Sequence, residues 1–177
     1  MPVAGTGQVP LTVSFNSEVL GYVANPNLNY AADSEAGFDG LRFQQVRNFS
    51  TPPDDPTFGQ VITIVFSRPV TDLVLPFGNI SLPIGNFYAD KIIVMTPGYT
   101  YSTGAGIIGD GTSAEPFRNS VASDERTGPD LMATVEFAGP VSAVSVRFYD
   151  GLASAVSGQQ QAIILDDMTF VASCPPA

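Results

Sequence analysis

Residues 61–77, VITIVFSRPVTDLVLPF, constrain the fold more than any other part of this sequence. The first half of the stretch is rich in β-branched and aromatic residues, which fit a pleated, half-buried surface. Pro69 interrupts the pattern because proline has no N–H for a sheet ladder and fixes its own φ. Leu73, Leu75 and Phe77 then place apolar side chains at every second position. The stretch therefore predicts a strand, a sharp corner and a second strand.

The same arrangement recurs in residues 134–148, TVEFAGPVSAVSVRF, and six positions match at a constant offset of 71 residues. The matched pairs are Phe66 and Phe137, Pro69 and Pro140, Val70 and Val141, Leu73 and Val144, Leu75 and Val146, and Phe77 and Phe148. Apolar stretches around a proline are common in β proteins, but six matches at one offset favour two equivalent corners in one β domain. The repeat bears on architecture and not on chemistry.

Length and composition indicate a single folded domain. The chain has 177 residues, of which 44% are hydrophobic and only 14% are charged, so it can bury a sizeable core. Its 17 glycines and 15 prolines follow no period and suit short strands joined by turns. We expect one domain over residues 1–172, and residues 173–177 to begin a proline-rich linker or tail.

The order of apolar segments predicts an all-β fold. Residues 11–15 alternate as a first strand and residues 162–171 form the last, while no span of about 10–12 residues carries a helical stripe. We expect a two-sheet antiparallel β-sandwich, jelly-roll-like in topology, with about eight to ten strands and long acidic loops; a barrel is less favoured. The expected core aromatics are Phe15, Phe66, Phe77, Phe137, Phe148 and Phe170.

Three stretches between these segments have their own predictions. Residues 21–40 are rich in Asn, Asp, Gly and Ala and predict a long loop with at most one short helical turn. Residues 99–103 alternate and are expected to pair with the strand at residues 90–95 as a hairpin. Residues 112–130 are polar and predict a surface loop.

The charge balance excludes several partners. There are 17 acidic residues against 7 basic ones, a net charge of −10. Nucleic acids and anionic membrane surfaces are therefore not expected as partners, and no apolar run approaches the ~20 residues that cross a bilayer. An acidic surface fits solubility outside a cell and the binding of hard cations.

Two single residues leave alternatives open. Cys174 is the only cysteine, so no disulfide forms within the chain, and it is either a free thiol or pairs between chains. Lys91 is the only lysine and is either an edge lysine, the favoured reading, or one end of a Lys–Asn cross-link.

Most catalytic chemistry is disfavoured. The sequence has no histidine, which excludes the usual serine and cysteine triads and the usual zinc sites. The glycine-rich stretch GAGIIGDG lacks the lysine of a phosphate-binding loop. A glycosidase that uses a pair of carboxylates stays open, but no spacing singles out a pair. We therefore expect a non-enzymatic protein.

Four segments of the sequence resemble a known class of domain. They are TIVFSRPVTDLVL, FYADKIIVM, VEFAGPVSAVSVRFYD and the ending AIILDDMTF. Together they look like the β-sandwich domains, jelly-roll or carbohydrate-binding-module-like, of large bacterial cell-surface or secreted proteins. The resemblance covers roughly the last two-thirds of the chain. It implies an extracellular or cell-surface location.

The resemblance also implies a structural Ca²⁺. In such jelly rolls the ion joins an acidic residue just after the first strand to an aspartate of the last strand. At the matching positions these residues are Glu18 and Asp166 or Asp167. The alternative is that the two aspartates end a buried strand or cap a turn.

Four tyrosines are the candidates for stacking on a sugar, namely Tyr22, Tyr30, Tyr99 and Tyr101, and packing is the alternative for each. The leading hypothesis is a non-catalytic, adhesion-type module that binds a glycan or another cell-surface component. The first alternative is a self-assembling subunit of an extracellular filament, sheath or stalk, with copies of itself or neighbouring domains as partners. The second alternative is an acid-pair polysaccharide hydrolase.

Overall fold

The structure is a computed structural model that describes residues 11–20, 24–33, 38–46, 54–82, 89–120, 128–151 and 160–172. These residues form twelve strands, one 3-10 turn at Pro129–Leu131 and no α-helix. None of the helical structure among them is long and apolar enough to cross a membrane. The strands are β1 (Val13–Leu20), β2 (Ala24–Asp33), β3 (Phe38–Val46), β4 (Gly59–Gly78), β5 (Asp90–Val94), β6 (Thr100–Thr103), β7 (Ile107–Ile108), β8 (Phe117–Asn119), β9 (Ala133–Phe137), β10 (Val141–Asp150), β11 (Gln160–Leu165) and β12 (Thr169–Ala172).

The predictions of an all-β fold and of antiparallel pairing are confirmed. The strands belong to one continuously hydrogen-bonded, curled sheet with a main path of β2-β3-β11-β4-β10-β5-β8-β7. Their division into two separate sheets stays a prediction. Twelve strands exceed the eight to ten expected, partly because β7 and β8 contain only two and three residues.

The strand β4 is shared by two parts of the sheet. Its first half, residues 59–66, lies between β1 and β10. Its second half, residues 70–78, pairs with β9 on one edge and with β12 and the end of β11 on the other. We call the strands attached to the first half (β1, β10, β5, β8 and β7) the first wing. Those attached to the second half (β2, β3, β11, β12, β9 and β6) form the second wing.

The predicted corner lies between these two halves. Between the pairs Val65–Ala143 and Val70–Val141 the register shifts, because β4 takes more residues than β10 to cover the same distance. Extra residues on one strand of an antiparallel pair bend that strand. Ser67 fastens the bend to the chain before β1: its N–H donates to the Thr12 carbonyl at 2.9 Å, and its Oγ accepts from the Thr12 N–H at 3.0 Å. We call residues 66–70 the corner.

One hydrophobic core receives side chains from both wings. Buried and less buried residues alternate along β4, so every second side chain enters the core. Of the predicted core aromatics, Phe66, Phe77, Phe137 and Phe148 are buried, and Phe15 and Phe170 are partly buried against the same core. Phe66 of β4 meets Phe170 of β12 edge to face, with ring centroids 5.4 Å apart.

At the end of the core away from the corner, the core-facing rows of three strands finish in glutamine. Gln45 of β3, Gln60 of β4 and Gln161 of β11 are 2%, 0% and 1% exposed. The Gln45 amide donates to Gln161 Oε1 at 3.1 Å, and the Gln60 amide donates to Ser17 Oγ at 2.7 Å. Within the described residues, Oε1 of Gln45, Oε1 of Gln60 and Nε2 of Gln161 have no hydrogen-bond partner. We call this region, defined by the three glutamines, the polar end.

The prediction of a long loop over residues 21–40 is wrong. Strands β2 and β3 occupy most of it, and β3 pairs with β2 on one side and with β11 on the other. The Asn, Asp and Gly residues there disfavour strands by propensity, but sheet pairing overrides a weak local preference. The surface-loop prediction for residues 112–130 is wrong at β8, where Phe117 is fully buried.

Two strand predictions also need correction. β6 pairs with β9 of the second wing and not with β5, since the chain turns through Gly98 at a positive φ of 89° between the two strands. The last predicted strand is divided into β11 and β12. At the break, the Asp166 N–H donates to the Pro76 carbonyl at 2.9 Å.

Candidate functional site

A groove of about 400 Å³ lies on the face of the first wing that points away from the core. Its apolar walls include Met95, Pro97 and Pro56, and Ile93 and Arg147 lie in it side by side. We call this site, lined also by Tyr99, the outer groove. Ligand sites are commonly mostly apolar clefts of this size with a few polar groups.

The fold holds the residues of the outer groove in place. Ile93 of β5 is the cross-strand partner of Arg147 of β10, and their neighbours in sequence point into the core. Met95 directly follows β5, and its N–H donates to the Ser145 carbonyl at 2.8 Å. Its side chain remains 44% exposed, although large apolar side chains are normally covered. The groove therefore presents an apolar wall on a rigid backbone.

Tyr99 closes one side of the groove. Its hydroxyl donates to the Asp110 carbonyl at 3.0 Å, and its ring packs on Phe137 with centroids 6.1 Å apart. Burial, with a smaller contribution from the Asp110 carboxylate, raises the pKa of Tyr99. The phenol therefore stays protonated at neutral pH and serves as a fixed neutral wall.

Arg147 is the one charged residue that lines the groove. Its guanidinium makes no hydrogen bond or ion pair with any described residue, and its Nε is buried. The other two cations on this face do have partners: Lys91 contacts Asp54 at 2.6 Å, and Arg118 contacts Glu115 at 3.2 Å. A buried polar group without a partner is costly, so Arg147 is the exceptional cation of this face.

Cations are concentrated on this face of the first wing. Lys91 lies directly opposite Arg118 on one side and Tyr149 on the other, and Arg147 is two residues from Tyr149 on the same strand. These are three of the seven basic residues in a chain of net charge −10. Burial, with a smaller contribution from the Asp54 carboxylate, raises the pKa of Tyr149 to about 12. The phenol between the cations is thus neutral at physiological pH.

Of the predicted ligand-binding tyrosines, Tyr99 and Tyr101 have described side chains, and these two lie in different surroundings. Tyr99 lines the outer groove. Tyr101 is 48% exposed on β6 and meets Phe117 edge to face at 5.4 Å, so packing already occupies one side of its ring. Tyr30 lies in β2 opposite Leu41, where the structure describes only its backbone, and Tyr22 lies outside the described residues.

The described ranges contain no group of three or more acidic, cysteine or histidine side chains placed to hold a metal, and the structural Ca²⁺ stays a prediction. Glu18 lies within β1 rather than after it, is exposed, and pairs with Val61. Asp166 and Asp167 line a shallow depression of about 300 Å³ beside Phe15. Oδ1 of Asp166 accepts the Asp167 N–H at 2.8 Å, which favours the turn-capping alternative for this aspartate.

Two carboxylates of the described residues lie opposite each other across neighbouring strands. Asp90 of β5 lies directly opposite Asp150 of β10. Asp90 is 1% exposed, and its Oδ2 accepts from both the N–H and the hydroxyl of Ser81, at 3.0 and 2.9 Å. Oδ1 of Asp150 accepts the Ala89 N–H at 3.1 Å. These hydrogen bonds attach Ser81 to the start of β5 and Ala89 to the end of β10, which is a structural role.

Sequence reasoning missed Arg147 and the polar end. Alternation in SVRFYD marks Arg147 as facing away from the core, but a missing ion-pair partner depends on distant parts of the chain. The polar end does leave a signal, since apolar alternation gives way to glutamine in FQQ, GQV and QQAIIL. Comparison of the chain with known protein families, characterised proteins and solved structures finds no match.

Proposed function

We propose that this protein is a non-catalytic module of an extracellular or cell-surface protein and that it binds a glycan in the outer groove. The observation that carries the proposal is an apolar groove lined by one guanidinium, that of Arg147, whose Nε is buried and which has no partner among the described residues. The side chains of Met95, Pro97 and Tyr99 offer apolar surface for the C–H faces of sugar rings. Arg147 can donate hydrogen bonds that fix the orientation of the sugar.

Two finer features belong to the same proposal. The two wings that share β4 would correspond to the two sheets of a jelly-roll-like sandwich. A structural Ca²⁺ would stiffen the connections near Glu18, Asp166 and Asp167. Calcium titration followed by thermal melting tests the ion: a rise in Tm that a chelator reverses supports it, and an unchanged Tm removes it.

The glycan proposal is tested with a glycan array and titration calorimetry on the wild type and two variants. Met95→Ala shortens the apolar wall and should weaken binding roughly three- to tenfold. Val171→Ala is the matched control, because Val171 is another large apolar side chain, 55% exposed, and does not line the groove. Failure of every glycan to bind, or equal effects of the two variants, would contradict the proposal.

A second candidate function is self-assembly, which one edge strand favours. Among the described residues β6 pairs only with β9, and its four residues, Thr100–Thr103, are all exposed. The strand has no charge, proline or bulge to deter pairing with another chain. Sedimentation at several concentrations should reveal association that Ser102→Lys abolishes and Ser142→Lys, at an exposed site near the corner, leaves intact. A strict monomer at high concentration argues against assembly.

A further inference from the structure

We infer that the ligand of the outer groove carries a carboxylate that Arg147 binds, which identifies a uronate-containing polysaccharide as the ligand class. The inference rests on the proposed function, because it concerns the same groove. Three observations carry it: the missing partner of Arg147, the rigid position of its strand, and the charge around the groove.

A buried Nε without a partner occurs in Arg42 and Arg68 as well as in Arg147, and of the three only Arg147 lines the groove. There are 17 aspartate and glutamate residues, yet none in the described part of the chain forms an ion pair with Arg147. The Nε is buried and closed off from the groove, so an acceptor in the groove would meet the terminal N–H groups of the guanidinium. A neutral sugar offers only hydroxyl groups, whereas a carboxylate offers two acceptor oxygens in a plane.

The position of Arg147 suits such an acceptor. Arg147 belongs to β10, which is held between β4 and β5. Its cross-strand partners are Val61 of β4 and Ile93 of β5. A guanidinium held in this way forms two parallel hydrogen bonds with a carboxylate, which Lys cannot match. Nearby apolar walls lower the local dielectric and strengthen the contact.

The lining of the groove carries a single charge, the positive charge of Arg147. Lys91 and Arg118 lie on the same face, and their acidic partners Asp54 and Glu115 have side chains that are 49% and 61% exposed. The carboxylates that compensate these cations are therefore partly screened by water. The guanidinium of Arg147, which has no partner among the described residues, matches one planar carboxylate per binding site. Sulfate esters are the competing anion that the experiment must distinguish.

The experiment compares polygalacturonate with the same polymer after its carboxyl groups have been reduced to alcohols. We expect the wild type to bind the acidic polymer at least about tenfold more tightly than the reduced one. Arg147→Gln should lose about tenfold for the acidic polymer only, and Arg147→Lys should lose less. Raising the salt from about 50 to about 500 mM should weaken the binding of the acidic polymer.

Arg68→Gln is the matched control. Arg68 also has a buried Nε without a partner, but it lies at the corner and does not line the groove. The control should bind as the wild type does, and thermal melting of each variant reports its folding. If Arg147→Gln does not fold, the comparison of the two polymers on the wild type still tests whether the ligand needs a carboxylate.

The outcomes separate the two proposals. Equal binding of both polymers, with Met95→Ala weakening both, overturns the carboxylate inference and leaves the glycan function standing. Binding of dextran sulfate in preference to polygalacturonate also overturns it. Failure of all acidic and neutral glycans to bind removes the proposed function, and the inference falls with it.

Discussion

Val70 of β4 lies directly opposite Val141 of β10, and the two valines occupy the same position in the two matching sequence segments. The segments run antiparallel beside each other, with Leu73 opposite Phe137. The burial of the matched residues also agrees. Both prolines are exposed, and in every apolar pair except the valine pair both residues are buried. The sequence repeat therefore marks two bends that pair with each other.

The valine pair predicts an asymmetric response to truncation. Val70 is fully buried, whereas Val141 is only partly buried. Val70→Ala should lower the free energy of unfolding by about 2 kcal/mol, because it leaves a cavity in the core. Val141→Ala should cost clearly less. Urea unfolding of both variants checks this, and equal losses would show that Val70 has no special role.

The buried glutamine pair predicts strong coupling between its members. Gln161→Leu leaves the Gln45 amide without its acceptor and should cost about 1–3 kcal/mol, and Gln45→Leu should act similarly. The double variant Gln45→Leu/Gln161→Leu replaces both partners by apolar groups and should be more stable than the sum of the single losses. A double-mutant cycle in urea measures this, and simple additivity would contradict the pair.

Tyr149 predicts a loss of stability at high pH. Its pKa is raised to about 12 in the fold, chiefly by burial, from an ordinary value of 10.0. The folded state therefore holds its proton more tightly than the unfolded state, so the contribution is complete below pH 10 and is lost as the pH rises towards 12. In Tyr149→Phe this decline should be smaller in unfolding experiments between pH 9 and 12.

Asp54 provides a second check on Tyr149. Its carboxylate contributes to the raised pKa of the phenol, and it also forms the ion pair with Lys91. Asp54→Asn should lower the pKa of Tyr149, as measured by the absorbance of tyrosinate. A pKa that stays unchanged would assign the whole effect to burial.

The hydrogen bonds that Thr57 donates predict how the carboxyl group of Asp55, in an exposed turn, titrates in acid. Its hydroxyl and its N–H donate to Oδ1 of Asp55 at 2.7 and 2.8 Å, and these bonds lower the pKa of Asp55. The stabilisation is present above the ordinary pKa of 3.8 and is lost as the pH falls through the lowered value. Thr57→Val should raise the pKa of Asp55 in an NMR titration, whereas Thr71→Val should leave it unchanged.

The sequence was most informative where side-chain patterns are local. The alternation around Pro69 located the corner, and four of six proposed core phenylalanines are fully enclosed. Those features follow from the two-residue period of a strand and from the missing N–H of proline. They need no knowledge of distant residues.

Pairing partners could not be predicted in the same way. β2 and β3 contain residues typical of turns, and this preference is overridden by the pairing of β3 with β2 on one side and with β11 on the other. The outer groove depends on Pro56 and Tyr99, which are far apart in the sequence. Arg147 was recognisable as an outward-facing residue, but whether a carboxylate would neutralise it depended on the whole fold.

The shared strand β4 also brings the first and the last described strands to one place. Val13 of β1 lies opposite Phe66, and Ala172 of β12 lies opposite Val70, so both outer strands reach the corner. A pulling force applied at Val13 and Ala172 would therefore act across the corner. The polar end, at the end of the core away from the corner, would lie outside the path of that load.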